Sequence, residues 1–314
     1  MSPLRYYLFT GATSGLGLEA AAQLAAADPV NTVIAGVREA AGLENLRRGV
    51  PAAQLHTMAL DISSLSSVQR FAADVVGFLG ANTLSAISLN AGVQIVSGDR
   101  FSEDGFELTF ATNVLGHMAL FRRLQTALSP ATVIVSTASG THDKDHKLAK
   151  PFKFYGGYFP SAAEVASGNV SSSSDKAQLG RDRYATSKLC NVLFTYAKAR
   201  EFGLYGPRFI AYDPGLMPGT ELARDQPTAI RFAWKNMLPA AARMIDGAST
   251  AKRSGAVLAE LLTAKRFPLG TGLYIEFTGD EIPSSQMSYD EALQDELARW
   301  ALTTAFGETG SDIE

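Results

Sequence analysis

Thr10-Gly11-Ala12-Thr13-Ser14-Gly15-Leu16-Gly17 stands between the short apolar run Tyr6–Thr10 and the helical stretch Leu16–Ala27. Glycines allow a tight turn and a close approach of backbone to a ligand, and a helix N-terminus offers unpaired N–H groups and a positive dipole end to a phosphate. The spacing Gly-x-x-x-Gly-x-Gly is a variant of the pattern that receives the pyrophosphate of a dinucleotide. A glycine-rich turn alone says little; its place after a strand and before a helix gives it weight.

Working outward, further strand candidates are Thr32–Val37, Gln54–Ala59, Leu84–Leu89, Val133–Thr137 and Phe209–Tyr212. Most are unbroken apolar runs rather than strict alternations, as strands covered on both faces require. Ser64–Leu79, Phe106–Leu128 and Arg183–Phe202 carry helical periodicity between them. Strand and helix alternating in this way predict an α/β fold with a doubly wound parallel sheet and right-handed crossovers. Two stretches depart from the alternation. Gly140–Gly180 is polar, aromatic and serine-rich, and is too long for an ordinary connection, so it reads as an insertion or flap. After Asp213 the sheet reads as finished; Gly219–Ala248, with Phe232, Trp234, Met237 and Met244 following Met217, reads as a helical segment that packs on the core or roofs a pocket.

Composition narrows the function classes. Among 314 residues, 28 Lys+Arg oppose 31 Asp+Glu for a net charge of −3, which argues against a nucleic-acid partner. Hydrophobic residues at 46% and charged residues at 19% supply a large core and exclude a mainly disordered chain. The single cysteine, Cys190, excludes an internal disulfide framework and a cysteine-built structural zinc site. No uncharged apolar run reaches the ~18 residues needed to cross a bilayer, and Arg5 followed by Tyr6, Tyr7, Leu8 and Phe9 does not read as a leader. The expectation is a soluble cytoplasmic protein with no membrane partner.

Successive strand ends then supply the other candidate nucleotide contacts. The second strand closes on Ala35-Gly36-Val37-Arg38. An acid at that point would bind a ribose 2′-hydroxyl; an arginine instead pairs with a 2′-phosphate, which favours NADP over NAD, although Arg38 could equally pair with Glu39 or Glu44. Asp61 with Ile62 after the third strand suits the adenine, and Asn90-Ala91-Gly92 after the fourth brings backbone to the nicotinamide-side ribose. Tyr184 and Lys188, at i and i+4, share a helix face. A free tyrosine, with a pKa near 10, is a poor proton carrier at neutral pH. An ammonium about 4 Å away at an effective dielectric near 20 is worth about 4 kcal/mol to the phenolate, roughly 3 pK units before desolvation.

Thr10–Gly17, Asn90-Ala91-Gly92, Tyr184-Ala185-Thr186-Ser187-Lys188 and Asp213-Pro214-Gly215, in this order over nearly the whole chain, resemble the short-chain dehydrogenase/reductase superfamily. Within it, Thr112-Asn113-Val114-Leu115-Gly116-His117, Leu189-Cys190-Asn191 after the lysine, Gly272-Leu273-Tyr274 and Ser284-Ser285 resemble the branch of retinol dehydrogenases and light-dependent protochlorophyllide reductases. The resemblance implies one Rossmann-type NAD(P)-binding domain over residues 1–314, with the 140–180 insertion and the 219–248 segment beside the active-site edge. It implies an Asn-Ser-Tyr-Lys tetrad. Tyr184 would protonate the carbonyl oxygen as hydride arrives. Lys188 would lower the pKa of Tyr184 and hold the nicotinamide ribose. Asn113 would sit at a helix irregularity and hold a relay water, and a serine would orient the substrate oxygen. The serine's place is open: counting from the strand end gives Thr137, whereas the order strand, small residue, serine, glycine gives Ser139, the preferred candidate.

The implied coenzyme-binding set is Gly11, Thr13, Ser14, Gly15, Leu16, Gly17, Arg38, Asp61, Ile62, Asn90, Ala91, Gly92, Tyr184 and Lys188, with Pro214, Gly215, Leu216 and Thr220 on the loop covering the nicotinamide. The expected activity is reduction of an apolar aldehyde or ketone with NADPH, or the reverse oxidation. Alternatives are light-dependent C=C reduction, against which Leu216 stands in the place of that branch's usual cysteine, and non-catalytic NADP binding. Cys190 reads as a buried structural thiol. Family members often pair through the helices around Phe106–Leu128 and Arg183–Phe202, so a homodimer is one expectation, which a long insertion would block. His142-Asp143-Lys144-Asp145-His146 reads as a solvated polar loop rather than a metal site, and His56 and His117 read as structural. Phe152, Phe154, Tyr155, Tyr158 and Phe159 read as a substrate wall or as an oligomer contact.

Overall fold

The computed structural model describes residues 3–220 and 247–306 and, between them, residues 224–226, 228–232, 234, 236, 238 and 245. Met237 and Met244 of the expected 219–248 segment lie outside the described residues.

The strands are β1 (Arg5–Thr10), β2 (Asn31–Val37), β3 (Leu55–Ala59), β4 (Leu84–Leu89), β5 (Val133–Thr137), β6 (Arg208–Asp213) and β7 (Leu273–Glu276). They form one parallel sheet in the order β3-β2-β1-β4-β5-β6-β7. The described helices are α1 (Gly15–Ala27), α2 (Ala40–Gly49), α3 (Leu65–Leu79), α4 (Leu108–Phe110), α5 (Gly116–Arg123), α6 (Ala162–Ser167), α7 (Lys176–Phe202), α8 (Thr228–Phe232), α9 (Ala251–Leu262) and α10 (Glu291–Phe306). This is the doubly wound, Rossmann-like α/β architecture expected from the sequence.

The apolar runs have a direct structural cause. Successive residues of a strand point to opposite faces, and in β1 Tyr6 and Leu8 enter the core beneath α3, α5 and α7, while Tyr7 and Phe9 enter the core beneath α1 and α9. Both faces are covered, so alternation is lost. In the core beneath α3, α5 and α7, Phe121 meets the rings of Phe194, Phe202 and Phe209 edge-on at centroid distances of 5.6, 6.1 and 5.4 Å.

Four expectations are corrected. The sheet does not end at Asp213: β7 adds to β6, pairing Ile210 with Leu273 through Asp213 with Glu276. The Phe106–Leu128 helix is broken, with a π turn over Ala111–Leu115 between α4 and α5. The catalytic-side helix starts at Lys176 rather than Arg183, capped by the Asp175 carboxylate, which accepts the Ala177 N–H at 2.9 Å. The 140–180 stretch is therefore not one flap. It holds short 3₁₀ turns at Gly140–His142 and Lys150–Phe152, then α6, then the first turn of α7.

Helix α10 lies across α5 and α7, the helices through which pairing of two copies was expected. Its Leu297 and Ala301 are buried in the same core as Phe121 and Phe194. Trp300 meets Phe106 and Phe110 edge-on, each at 5.8 Å, and Arg123 sits 4.8 Å over the Phe306 ring. Arg200 on α7 is ion-paired with Asp295 on α10.

Candidate active site

The chain order reverses between β1 and β4, and ligands of open α/β sheets bind at the strand carboxyl ends near that point. Hydrogen bonds knit three strand ends together there. Thr10 Oγ1 accepts the N–H groups of Asn90 and Ala91 at 2.8 and 3.0 Å. Asn90 Nδ2 donates to the carbonyls of Gly11 and Thr10 at 3.0 and 3.2 Å, and its Oδ1 accepts from Thr137 Oγ1 at 3.3 Å. Gly11 has φ +68°, and a Cβ there would lie 2.9 Å from the Ala91 Cα, so the turn requires glycine on both counts. The Ser14 side chain makes no capping bond at the start of α1, which leaves the helix N-terminus facing the cleft with its amides available to an anion.

The cleft has a volume of about 1430 Å³, above the roughly 300–1,000 Å³ of an ordinary small-molecule site. Its wall includes Gly11, Thr13, Ser14, Gly15, Leu16, Arg38, Asp61, Ile62, Asn90, Ala91, Gly92, Pro214, Gly215, Leu216 and Thr220, together with Thr137, Ser139, Tyr184 and Lys188. The room and the donor set fit an extended dinucleotide beside a second molecule. Of the expected set only Gly17 and Asn113 stay off the wall. Arg38 is half exposed and reaches Glu39 at 3.3 Å. Asp61 closes a local turn, accepting the Ser63 N–H at 3.0 Å and the Ser63 hydroxyl at 2.7 Å. Thr220 donates to the Met217 carbonyl at 3.0 Å, and its own carbonyl accepts Trp234 Nε1–H at 3.0 Å. Asp225 ties this segment to the loop after β4, accepting the N–H groups of Val96 and Ser97 at 2.7 and 2.9 Å and pairing with Arg100 at 3.1 Å.

The α7 face presents Tyr184 and Lys188, both buried. Lys188 Nζ donates to the Thr137 carbonyl at 2.8 Å, which also accepts Asn191 Nδ2–H at 3.0 Å, and Nζ lies 5.5 Å from the Tyr184 ring centroid. The expected lowering of the tyrosine pKa is not what the protein alone produces. Burial, reinforced by the buried Asp213 carboxylate, drives the Tyr184 phenol upward, and a hydrogen bond with the Ser139 side chain only moderates it. Burial also pushes the Lys188 ammonium down to about 8, against the upward pull of Asp213. Desolvation is the largest influence on both groups. The ionisation state that results is a protonated tyrosine, which is a proton donor.

The two hydroxyl candidates separate in space. Thr137 turns its hydroxyl to Asn90, whereas the Ser139 hydroxyl accepts the Thr141 N–H at 3.3 Å and lies on the cleft wall that Tyr184 shares. Asn113 lies in the π turn. Its Oδ1 accepts the Val93 N–H at 2.8 Å, and its Nδ2 donates to the Val93 carbonyl at 3.0 Å and to Ser187 Oγ at 2.9 Å.

The aromatic run divides three ways. Phe152 and Phe154 line the cleft, with Phe154 6.0 Å from the Tyr184 ring; Tyr155 and Tyr158 are exposed; Phe159 is buried in the core. Cys190 is fully buried, and burial pushes its thiol up. His142 is not solvated: it is buried beneath the Ser139 turn. Asp213, Thr10 and the two buried histidines His117 and His142 were not read as site residues. The spacing of His117, four residues after Asn113, was the available signal for one of them.

A family model described as short chain dehydrogenase matches residues 5–150. The chain is 31% identical over 304 residues to a polyprenol dehydrogenase of Danio rerio, covering 92% of this chain and 83% of that protein. It is 31% identical over 229 residues to a chloroplastic protochlorophyllide reductase of Chlamydomonas reinhardtii, covering 69% of this chain and 57% of that one. Among solved structures, an uncharacterised protein of Mycobacterium paratuberculosis superposes with a TM-score of 0.64 at 25% identity, covering 96% and 94% of the two chains.

Proposed function

The chain belongs to the short-chain dehydrogenase/reductase superfamily, and from that membership we propose that it is an NADP(H)-dependent oxidoreductase that interconverts an apolar aldehyde or ketone and its alcohol. The supporting observation is the placement of buried Tyr184, with Lys188 Nζ 5.5 Å from its ring and Ser139 on the same wall, in the cleft that begins at the α1 N-terminus. A reduced nicotinamide bound there would supply the hydride. Tyr184 delivers its hydroxyl proton to the carbonyl oxygen, so that one hydride and one proton make the alcohol. Ser139 steadies that oxygen as negative charge develops. Lys188, anchored on the Thr137 carbonyl, stabilises the phenolate left behind. The apolar walls from Phe152 and Phe154 support an apolar substrate. A cytoplasmic location and a single coenzyme-binding domain over 1–314 belong to the same proposal.

The test follows absorbance of the reduced nicotinamide in the dark, with NADPH and then NADH, over a panel of aldehydes and ketones. Dark turnover supports the reading. Turnover of a pigment C=C bond only under illumination would replace it.

Two expectations attach to this reading. Arg38→Glu should turn NADPH preference toward NADH by roughly 10–100-fold in kcat/KM, since it removes a charge-assisted fork and leaves two carboxylates facing a 2′-phosphate; a preference that does not move would remove Arg38 from coenzyme selection. The pH dependence follows from Lys188. Above about pH 8 its ammonium loses the proton and with it the charge that stabilises phenolate. Reductive kcat/KM, which reports the free enzyme, should therefore fall as pH rises through about 8. A profile flat to pH about 10 would contradict this assignment.

A further inference from the structure

Two buried histidines make the same kind of contact with two members of the tetrad. His117 Nδ1 lies 3.1 Å from the main-chain carbonyl oxygen of Asn113. His142 Nδ1 lies 2.7 Å from the main-chain carbonyl oxygen of Ser139. A carbonyl can only accept, so each imidazole carries its proton on Nδ1. The other ring nitrogen is also engaged in each case. His142 Nε2 faces the backbone N–H of Ser285 at 3.1 Å, which can only donate; this ring is therefore neutral with Nε2 as acceptor. His117 Nε2 lies 2.9 Å from Thr10 Oγ1, whose lone pairs already receive the Asn90 and Ala91 N–H groups; the hydroxyl proton is shared between the imidazole and the Ser88 carbonyl, the latter farther off at 3.3 Å. Burial lowers the basicity of both rings, that of His117 to about 4, which keeps them in this form at neutral pH.

We propose that His117 and His142 are positioning residues, neutral imidazole struts that fix the backbone of Asn113 and Ser139 to the coenzyme-side strand ends and to the Ser284–Ser285 segment. The proposal rests on the carbonyl-reductase reading for what Asn113 and Ser139 do. Its geometry comes from the contacts alone. The π turn over Ala111–Leu115 departs from regular helical pairing, and His117 engages the carbonyl of its central residue. Its partner Thr10 binds the same loop, Asn90–Ala91, that walls the cleft. His142 sits at the end of the 3₁₀ turn that Ser139 opens, packs tilted against Tyr274 at 5.1 Å, and through that ring neighbours Asp213, whose Oδ2 accepts the Tyr274 hydroxyl at 3.2 Å. Each histidine thus joins a catalytic-side turn to a segment distant in sequence, which is how a second layer holds reacting groups to within a fraction of an ångström.

The experiment has two parts on the full chain. In His117→Asn and His142→Asn the side-chain amide nitrogen replaces Nδ1 as donor to the carbonyl; in His117→Phe and His142→Phe the ring shape remains without a donor. Each Phe variant should lower kcat roughly 10–100-fold with coenzyme Kd, read by nicotinamide fluorescence, nearly unchanged, and each Asn variant should recover most of the loss. Phe variants that turn over like wild type, or Asn and Phe variants that fall together, overturn the proposal. Should a Phe variant not fold, Gln, whose amide reaches the Nε2 position instead, replaces it in the same comparison. The second part records the imidazole ¹⁵N spectrum of the wild-type protein at pH 7, assigned through the variants. Both rings should show the neutral Nδ1–H tautomer, and a proton on Nε2 or a protonated ring at either site overturns the proposal. A wild type with no carbonyl turnover would count against the carbonyl-reductase reading, and the spectrum would still decide the struts.

Discussion

Tyr184→Phe is expected to lower kcat for carbonyl reduction by about 10²–10⁴, the usual contribution of a positioned acid. That is about 3–5.5 kcal/mol of lost transition-state stabilisation. The substitution removes one oxygen and keeps the ring against Phe154 and beneath Lys188, so packing is retained. The hydroxyl is the donor that the buried site holds protonated, and its loss leaves the Thr141 N–H bond of Ser139 in place. Coenzyme affinity should change little, because the glycine turn and Arg38 are untouched. Single-turnover oxidation of NADPH by the variant at the wild-type rate would remove Tyr184 from the chemistry and favour a non-catalytic role for the cleft.

The second large effect is structural. Gly116 opens α5 directly after the π turn, and a Cβ there would lie 1.9 Å from the Ile62 carbonyl oxygen and 3.0 Å from the Ile62 Cγ1. Gly116→Ala would gain about 1 kcal/mol from helix propensity alone. The obstacle is backbone, which cannot swing aside, and overpacking of this kind costs about 1–3 kcal/mol or more. With the overlap this deep the upper end applies, so net destabilisation of about 2 kcal/mol or more is expected, a fall in Tm of roughly 4–8 °C at 2–4 °C per kcal/mol. Moving α5 away from Ile62 also moves the Asn113 turn, so kcat should fall with stability. An alanine variant as stable as wild type would show that α5 can retreat at no cost.

What could be read from the sequence follows from what each residue type is forced to do. The strands β1, β4 and β5 are covered on both faces, so their unbroken apolar runs mark them. The glycine turn announces itself because Gly11 has no alternative at φ +68° against Ala91. The strand β7 escaped notice because it is four residues long and sits between a glycine turn and the Thr278–Asp280 turn. The first turns of α7, Lys176–Asp182, carry mostly polar side chains and so no apolar stripe, although the Asp175 cap was a local sign of the start. Ser139 could not be told from Thr137 by spacing, because Thr137 ends β5 and Ser139 follows only two residues later; only the third dimension shows that one hydroxyl turns to Asn90 and the other to the cleft wall that Tyr184 shares. The ionisation of the Tyr184–Lys188 pair was likewise out of reach, since spacing reports proximity and not the depth of burial that decides it. His142 reads as polar because its neighbours in sequence are charged, while its neighbours in space are Ser139, Ser285 and Tyr274.

The placement of α10 has a consequence for how catalytic capacity scales. Leu297, Trp300 and Ala301 seal from within the same molecule the seam along α5 and α7. A second copy approaching along those helices would meet the outer side of α10 first. The residues that line the cleft all belong to one chain, so the rate per molecule is expected to hold on dilution.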